Sequence, residues 1–367
     1  DRPRCAEELA RARRAPEDPA REGAYMAATA VLDALRASLA EDAETAVSLV
    51  AEAERTVGSP HLPASPGSEV QALLQLSAGI ATIRRGDLAS ARELLRSAAG
   101  LGAPGEYPGF KADCLGYLAL VDALEGHLRR STRTAGESLA AAADAGLPLI
   151  ERSPAARVAL ARVALEQYDL DAARDHVPAA TASRRLEEDP VSRAVAASVV
   201  AGLERAAGKV QPALERLEKA AAELDGTDPW LADYLRVEAA RVGLAGGKPD
   251  VALQELEAVK QYDGREAAVI AAAAYASQGM DAAVEGSLAE ARGSDLPLRV
   301  EVSKLLVEVE LWDKVDDGYR FHDFHHYNPR REQLEAKRAA DRERVAERRN
   351  RSVCTAFRPS FGRSSVE

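Results

Sequence analysis

Along most of the chain, small apolar residues recur at helical spacing between charged ones, and a turn punctuates the pattern about every 40 residues. Ala91, Leu94, Leu95 and Ala98 stand at i, i+3, i+4 and i+7, which places all four on one helix face. Leu214, Leu217, Ala221 and Leu224 form a second such stripe, with charged residues between them directed away from it. The turns begin at Gly86, Gly126, Tyr168, Gly208, Gly247 and Gly279, separated by 40, 42, 40, 39 and 32 positions. Each is followed by a small-residue helix pattern, as in Gly86-Asp87-Leu88-Ala89-Ser90-Ala91 and Gly208-Lys209-Val210-Gln211-Pro212-Ala213. A period of that size filled by helices predicts a solenoid, in which each helical pair buries its apolar face against its neighbours.

Helix starts are legible too. Ser153-Pro154, Asp189-Pro190 and Asp228-Pro229 each set a capping side chain before a proline, whose fixed φ and missing N–H suit a helix's first turn. These three starts are phased at 36 and 39 residues. The reading is an all-α chain: an α-solenoid of tetratricopeptide-like helical hairpins over residues 23–304, preceded by a charged segment over 1–22 that Pro16 and Pro19 break.

After about Lys304 the grammar changes. Leu311–Val315 and Tyr319–His322 are predicted as short strands joined through Asp316-Asp317-Gly318, a C-terminal β-hairpin, and Asn328-Pro329 opens a charged helix to about Arg349. Hairpin and basic helix make a unit over 305–350, and residues 351–367, which lack periodicity, are expected to be a disordered tail.

Composition fits the array. The chain is 46% hydrophobic but only 4% aromatic, with alanine dominating the apolar part, so helices can approach closely. Its net charge of -11 is uneven: residues 1–311 hold 35 basic against 49 acidic residues, and residues 312–367 hold 13 against 10. An acidic body with a basic tail suggests separate partners for the two. Cys5, Cys114 and Cys354 are too scattered for a disulfide framework or zinc site, which points to a reducing cytoplasm. No apolar run reaches the roughly 20 residues that span a bilayer, so no membrane partner is expected. The chain opens on Asp1, which leads to the expectation of a processed chain or, as the favoured reading, a piece of a longer product.

Few motifs carry chemistry. Gly100, Gly102 and Gly105 match a dinucleotide fingerprint in letters, but they follow a helix and precede Pro108 rather than linking strand to helix. Gly208-Lys209 lacks the hydroxyl that a phosphate loop places on magnesium. His322, His325 and His326 with Asp323 form the one histidine cluster, yet adjacent histidines point apart, so a polar strand end is the favoured reading over a metal site. Asn350-Arg351-Ser352 matches a glycosylation sequon, which has no role in a cytoplasmic chain. No nucleophile, base and apolar pocket come together, so neither catalysis nor a cofactor is expected. The candidate nucleic-acid contacts are Arg330, Arg331, Lys337, Arg338, Arg342, Arg344, Arg348 and Arg349, diluted by Glu332, Glu335, Asp341, Glu343 and Glu347.

Ala27-Ala28-Thr29-Ala30-Val31-Leu32, Arg85-Gly86-Asp87-Leu88-Ala89-Ser90-Ala91 and Ser294-Asp295-Leu296-Pro297-Leu298-Arg299-Val300 carry a resemblance over Gly23–Val309. This stretch resembles the tetratricopeptide-like arm of MalT-like, large ATP-binding LuxR-type transcriptional regulators. The resemblance implies an inducer-sensing or protein-interaction arm acting by binding, with a peptide, protein or small inducer in its groove. That family's ATPase and helix-turn-helix domains have no counterpart in these residues. Leu311-Trp312, Gly318–Phe324, Tyr327-Asn328-Pro329 and Glu335-Ala336-Lys337-Arg338 are similar to a winged-helix-type segment of actinobacterial phage replication-associated proteins. That likeness implies the alternative, a nucleic-acid-binding replication or regulatory protein using the hairpin and basic helix.

Overall fold

A computed structural model describes residues 19–58, 68–101, 109–148, 153–262 apart from 182, 184, 185 and 187, 264–280, four residues between 283 and 287, and the backbone of 312–315 and 318–321. The chain divides into two units, Asp1–Ser294 and Asp295–Glu367. In the first, thirteen helices are described and no strand occurs among the described residues. They are α1 (Pro19–Ala40), α2 (Ala43–Val57), α3 (Ser68–Arg84), α4 (Leu88–Leu101), α5 (Phe110–Leu124), α6 (Leu128–Asp144) and α7 (Pro154–Glu166). The series continues with α8 (Leu170–Thr181), α9 (Pro190–Ala206), α10 (Val210–Leu224), α11 (Pro229–Ala245), α12 (Pro249–Glu257) and α13 (Gly264–Ser277). Pro19, expected to break a helix, instead opens α1, where its missing N–H costs nothing.

All six recurring turns adopt one geometry. Gly86, Gly126, Gly208, Gly247 and Gly279 have φ between 71° and 83°, and Tyr168 takes the same left-handed conformation at φ 58°. At the first of them, Gly86 N–H donates to Ile83 O at 2.8 Å and Asp87 N–H to Thr82 O at 3.2 Å. That pair of bonds, a Schellman motif, satisfies two orphan carbonyls at the end of α3 and reverses the chain into α4. The same pair recurs at Tyr168, from Tyr168 N–H to Leu165 O and from Asp169 N–H to Ala164 O. Gly146, outside the repeated series, makes a seventh such turn after α6.

Two kinds of helix alternate. In α10 only Ala213, Leu214, Leu217, Ala221 and Leu224 are buried, the single stripe of a helix with one wet face. Of the α4 stripe, Ala91, Leu95 and Ala98 are fully buried and Leu94 is half-buried. By contrast α5 buries 13 of its 15 residues, so it is covered on every side. The odd-numbered helices pack in succession, α1 on α3, α3 on α5, α5 on α7, α7 on α9, α9 on α11 and α11 on α13. They form an inner row, with the even-numbered helices outside.

The inner row closes on itself, because α3 also touches α9. Ala43 N–H donates to Thr227 O at 2.8 Å, joining the start of α2 to the loop before α11. The Trp230 indole lies against Gly86, where any Cβ would overlap it. One continuous buried cluster runs from Ala72 to Val242 through this centre.

In the second unit the described backbone is a pair of strands, β1 (Trp312–Val315) and β2 (Gly318–Phe321). They run antiparallel, with Trp312 opposite Phe321 and Val315 opposite Gly318.

Candidate functional site

The centre of the inner row is built from polar groups that the stripes conceal. Arg84, the last residue of α3, is 1% exposed, and its guanidinium uses all five of its N–H groups. Nε donates to Asp228 Oδ1 at 2.5 Å and Nη2 to Asp228 Oδ2 at 3.0 Å, a bidentate pair. Nη1 donates to Ala37 O and Ser38 O at 3.2 and 3.1 Å, and Nη2 to Glu41 O at 2.5 Å. One side chain thus caps the C-terminal carbonyls of α1 and fixes the entry to α11. Asp228, expected to cap its own helix, makes no cap hydrogen bond; its carboxylate is engaged by Arg84 instead.

A second network lies between α7, α9 and α11. Arg162 Nη1 meets Glu238 Oε1 at 2.8 Å, and Arg162 Nη2 meets Glu166 Oε1 at 2.9 Å. Tyr234 and Ser198 hydroxyls are 2.7 Å apart. Burial alone would raise the Glu238 carboxyl, but the charges of Arg162 and Arg241 carry it below the usual range. Burial raises the Tyr234 phenol, so it stays a neutral donor. Its charges are paired between α7 and α11, with Arg162 Nε alone among the Arg162 nitrogens lacking an acceptor, so this network is structural.

The cavity between the odd-numbered helices differs. It is lined by Leu35 and Leu39 of α1, Leu76 and Ile80 of α3, Asp113 and Tyr117 of α5, the Ser153–Ala155 start of α7, and Glu188-Asp189 before α9. Its volume is about 70 Å³, against about 30 Å³ of liquid for each water. The cap positions converge here because consecutive inner helices start at the same rim: Ser153 accepts from Ala156 N–H at 3.4 Å, and Asp189 Oδ1 accepts from Val191 and Ser192 N–H at 3.1 and 3.2 Å. Gly116 leaves the space that the Ser153 hydroxyl fills.

Asp189 is the chemically exceptional group. It is 3% exposed, and its Oδ2 closes no hydrogen bond. Burial raises its carboxyl above the ordinary range, an effect that the nearby Ser192 and Tyr117 hydroxyls and the α9 amides only offset. A buried carboxylate oxygen without a donor is costly, and Oδ2 is itself sealed from solvent.

A second recess, about 480 Å³ and open, runs along Gly126–Arg130 and Gln167. Its Arg130 is engaged with Asp122 at 2.9 Å. Arg92 of α4 is half-buried and pairs with Asp122 of α5 at 3.1 Å and with Glu125 just after it.

The eight nucleic-acid candidates, Arg330, Arg331, Lys337, Arg338, Arg342, Arg344, Arg348 and Arg349, lie outside the described residues, as do His322, His325, His326, Asp323 and the 351–367 tail. Cys114 is buried in α5, where desolvation pushes its thiol well up and keeps it unreactive; Cys5 and Cys354 lie outside the described residues. Among the described residues no group of three or more His, Cys, Asp or Glu is placed to hold a metal, and no helix is long and apolar enough to cross a membrane.

Sequence reasoning marked Asp189 and Ser153 only as caps and did not single out Asp113, Tyr117 or Arg84. The available signal was the repetition of Ser-Pro and Asp-Pro starts, which brings successive caps to one rim. No protein-family model matches the chain, and no curated protein matches it.

Proposed function

We propose that residues 23–304 are a solenoid of tetratricopeptide-like hairpins that serves as the sensing arm of a bacterial transcriptional regulator and works by binding rather than catalysis. The single observation that supports this reading is the cavity lined by α1, α3, α5, the start of α7 and the approach to α9, aliphatic on one side and polar on the other. Uniform Schellman turns support the repeat, since each hairpin reverses by the same bonds. The regulator context comes from the resemblance of Gly23–Val309 to the MalT-like arms. Of the partners that resemblance implies, a small inducer suits a cavity of about 70 Å³, whereas a peptide would need the bridged inner face to open. A ligand held between five inner helices would stabilise the closed row and alter how the array presents itself to the rest of a regulator.

The test is thermal unfolding of the full chain with a panel of small polar metabolites, repeated on Leu39→Trp, which puts a larger side chain in the cavity wall. A ligand that raises Tm in the wild type and not in the variant is the expected result. Ligands that act equally on both, or salt-sensitive DNA retention as the one binding activity, would overturn the reading and favour the nucleic-acid alternative.

A further inference from the structure

We propose that the Thr227–Trp230 segment is a self-docked ligand, and that the site it fills at the ends of α1 and α3 takes, once released, a partner's extended segment carrying a carboxylate two residues before an indole. Three features of this seam point to recognition rather than to ordinary core packing. First, the receptor is polar and prearranged. The Ala37, Ser38 and Glu41 carbonyls hold the Arg84 guanidinium from one side, which leaves Nε and one N–H of Nη2 aimed together at the Asp228 carboxylate. Beside it the Ala43 N–H, an orphan donor at the start of α2, is satisfied by Thr227 O. Second, the segment is committed to the seam. Asp228 stands at the cap position of α11 but makes no cap hydrogen bond, and both its carboxylate oxygens go to Arg84. The Trp230 indole lies on Gly86, whereas Gly126, Gly208, Gly247 and Gly279, which make the equivalent turns, have open space in the same place.

Third, the seam is separate from the packing of the hairpins that it joins. Helix α3 packs on α1, α2, α4 and α5, and α11 packs on α9, α10, α12 and α13; the helices meet across the seam chiefly where α3 touches α9. In a repeat array each hairpin is held by its sequence neighbours, so the seam can part while the hairpins stay folded. A main-chain carbonyl, a carboxylate and an indole are groups that an extended peptide offers, and an aromatic anchor beside a desolvated charge pair forms the centre of a strong contact. In the closed chain the site is already filled, so the contact is autoinhibitory. None of these residues lines the cavity, and the seam can act whether or not the cavity is occupied.

The test uses the acetylated and amidated hexapeptide Gly-Thr-Asp-Pro-Trp-Leu, the sequence of residues 226–231, titrated by calorimetry into the full chain and into its Asp228→Asn variant. The variant's own segment has lost the charge that Arg84 pairs with, so the peptide should bind the variant saturably and at least about tenfold tighter than the wild type. Replacing the peptide's Asp by Asn should weaken that binding at least about tenfold, because it leaves the Arg84 charge unpaired. Far-UV circular dichroism of the variant should match the wild type, since parting the seam leaves the helices in place. A second measurement needs no variant. In hydrogen exchange of the wild type, the Ala43 amide should exchange at least about tenfold faster than the slowest amides of α3 and α11, because an opening seam exposes it without unfolding either helix.

Failure of the peptide to bind the variant, or binding indifferent to the peptide's carboxylate, would overturn the proposal. Loss of helix in the variant, or exchange of the Ala43 amide only together with the slowest core amides, would make the seam a fixed staple of the fold and overturn it as well.

Discussion

Arg84 and Asp228 stand 144 positions apart in sequence and form a bidentate ion pair with both side chains buried. That contact joins the end of α3 to the start of α11, so an array that could remain an open spiral is bridged across its inner face. Breaking a buried pair by deleting one partner leaves the other charge uncompensated, which costs about 3–5 kcal/mol. Arg84→Ala should destabilise the chain by that amount in denaturant unfolding, and Asp228→Ala by a comparable one. A loss below about 1 kcal/mol in both, the level of exposed ion pairs, would mean that the bridge is not made.

The turns make a prediction of opposite sign. Tyr168 holds a conformation that costs a non-glycine residue about 1–2 kcal/mol, and its side chain is 75% exposed, so little packing is lost by removing it. Tyr168→Gly should therefore raise stability by about 0.5–1 kcal/mol, a gain reduced by glycine's greater freedom in the unfolded chain. Gly208→Ala, at φ 78° with open space around it, should lower stability by about 1 kcal/mol. Gly86→Ala should cost more than Gly208→Ala, because the added methyl also meets the Trp230 indole. Equal melting temperatures for the three variants would contradict a shared turn geometry.

Leu217 is fully buried at the middle of the α10 stripe, with Glu215 and Arg216 exposed beside it. Leu217→Asp should cost at least about 3 kcal/mol, since it places a carboxylate in an apolar interlayer. An unchanged melt would refute the assigned face.

Asp189 gives the chain a pH signature. Its folded carboxyl titrates above its ordinary value, so between those two values the folded state binds more protons than the unfolded one. Stability through this group therefore falls as pH rises through that window and recovers on acidification. Asp189→Asn removes the dependence and keeps the cap, so the variant should gain stability relative to wild type as pH is raised from about 4, near the ordinary carboxylate value, toward neutrality. Parallel stability curves across that range would contradict a desolvated carboxylate.

The recurring turns were legible because they obey local rules. Five of the six starts carry glycine, and Tyr168 was placed by phase with them, although tyrosine by itself does not announce a left-handed turn. The α10 stripe was readable for the same reason: Leu214, Leu217, Ala221 and Leu224 lie close in sequence and share a face. Arg84 was not, since in Ile83-Arg84-Arg85-Gly86 it looks like a basic residue at a helix end, and nothing local distinguishes it from the exposed Arg85. Asp228 was misread because Asp-Pro is a cap signal, and only the fold brings Arg84 to its carboxylate. The cavity was illegible for a related reason: its wall takes one or two residues from each of several helices, and no short window contains the constellation.

The central claim is that the cavity among the odd-numbered helices takes a small ligand. The most direct test is a crystal structure of the full chain grown with the metabolite that most raises its Tm. The account predicts that ligand in the cavity, against Leu39 and Ile80. A cavity holding only water, or occupied by one of the chain's own side chains, would contradict it.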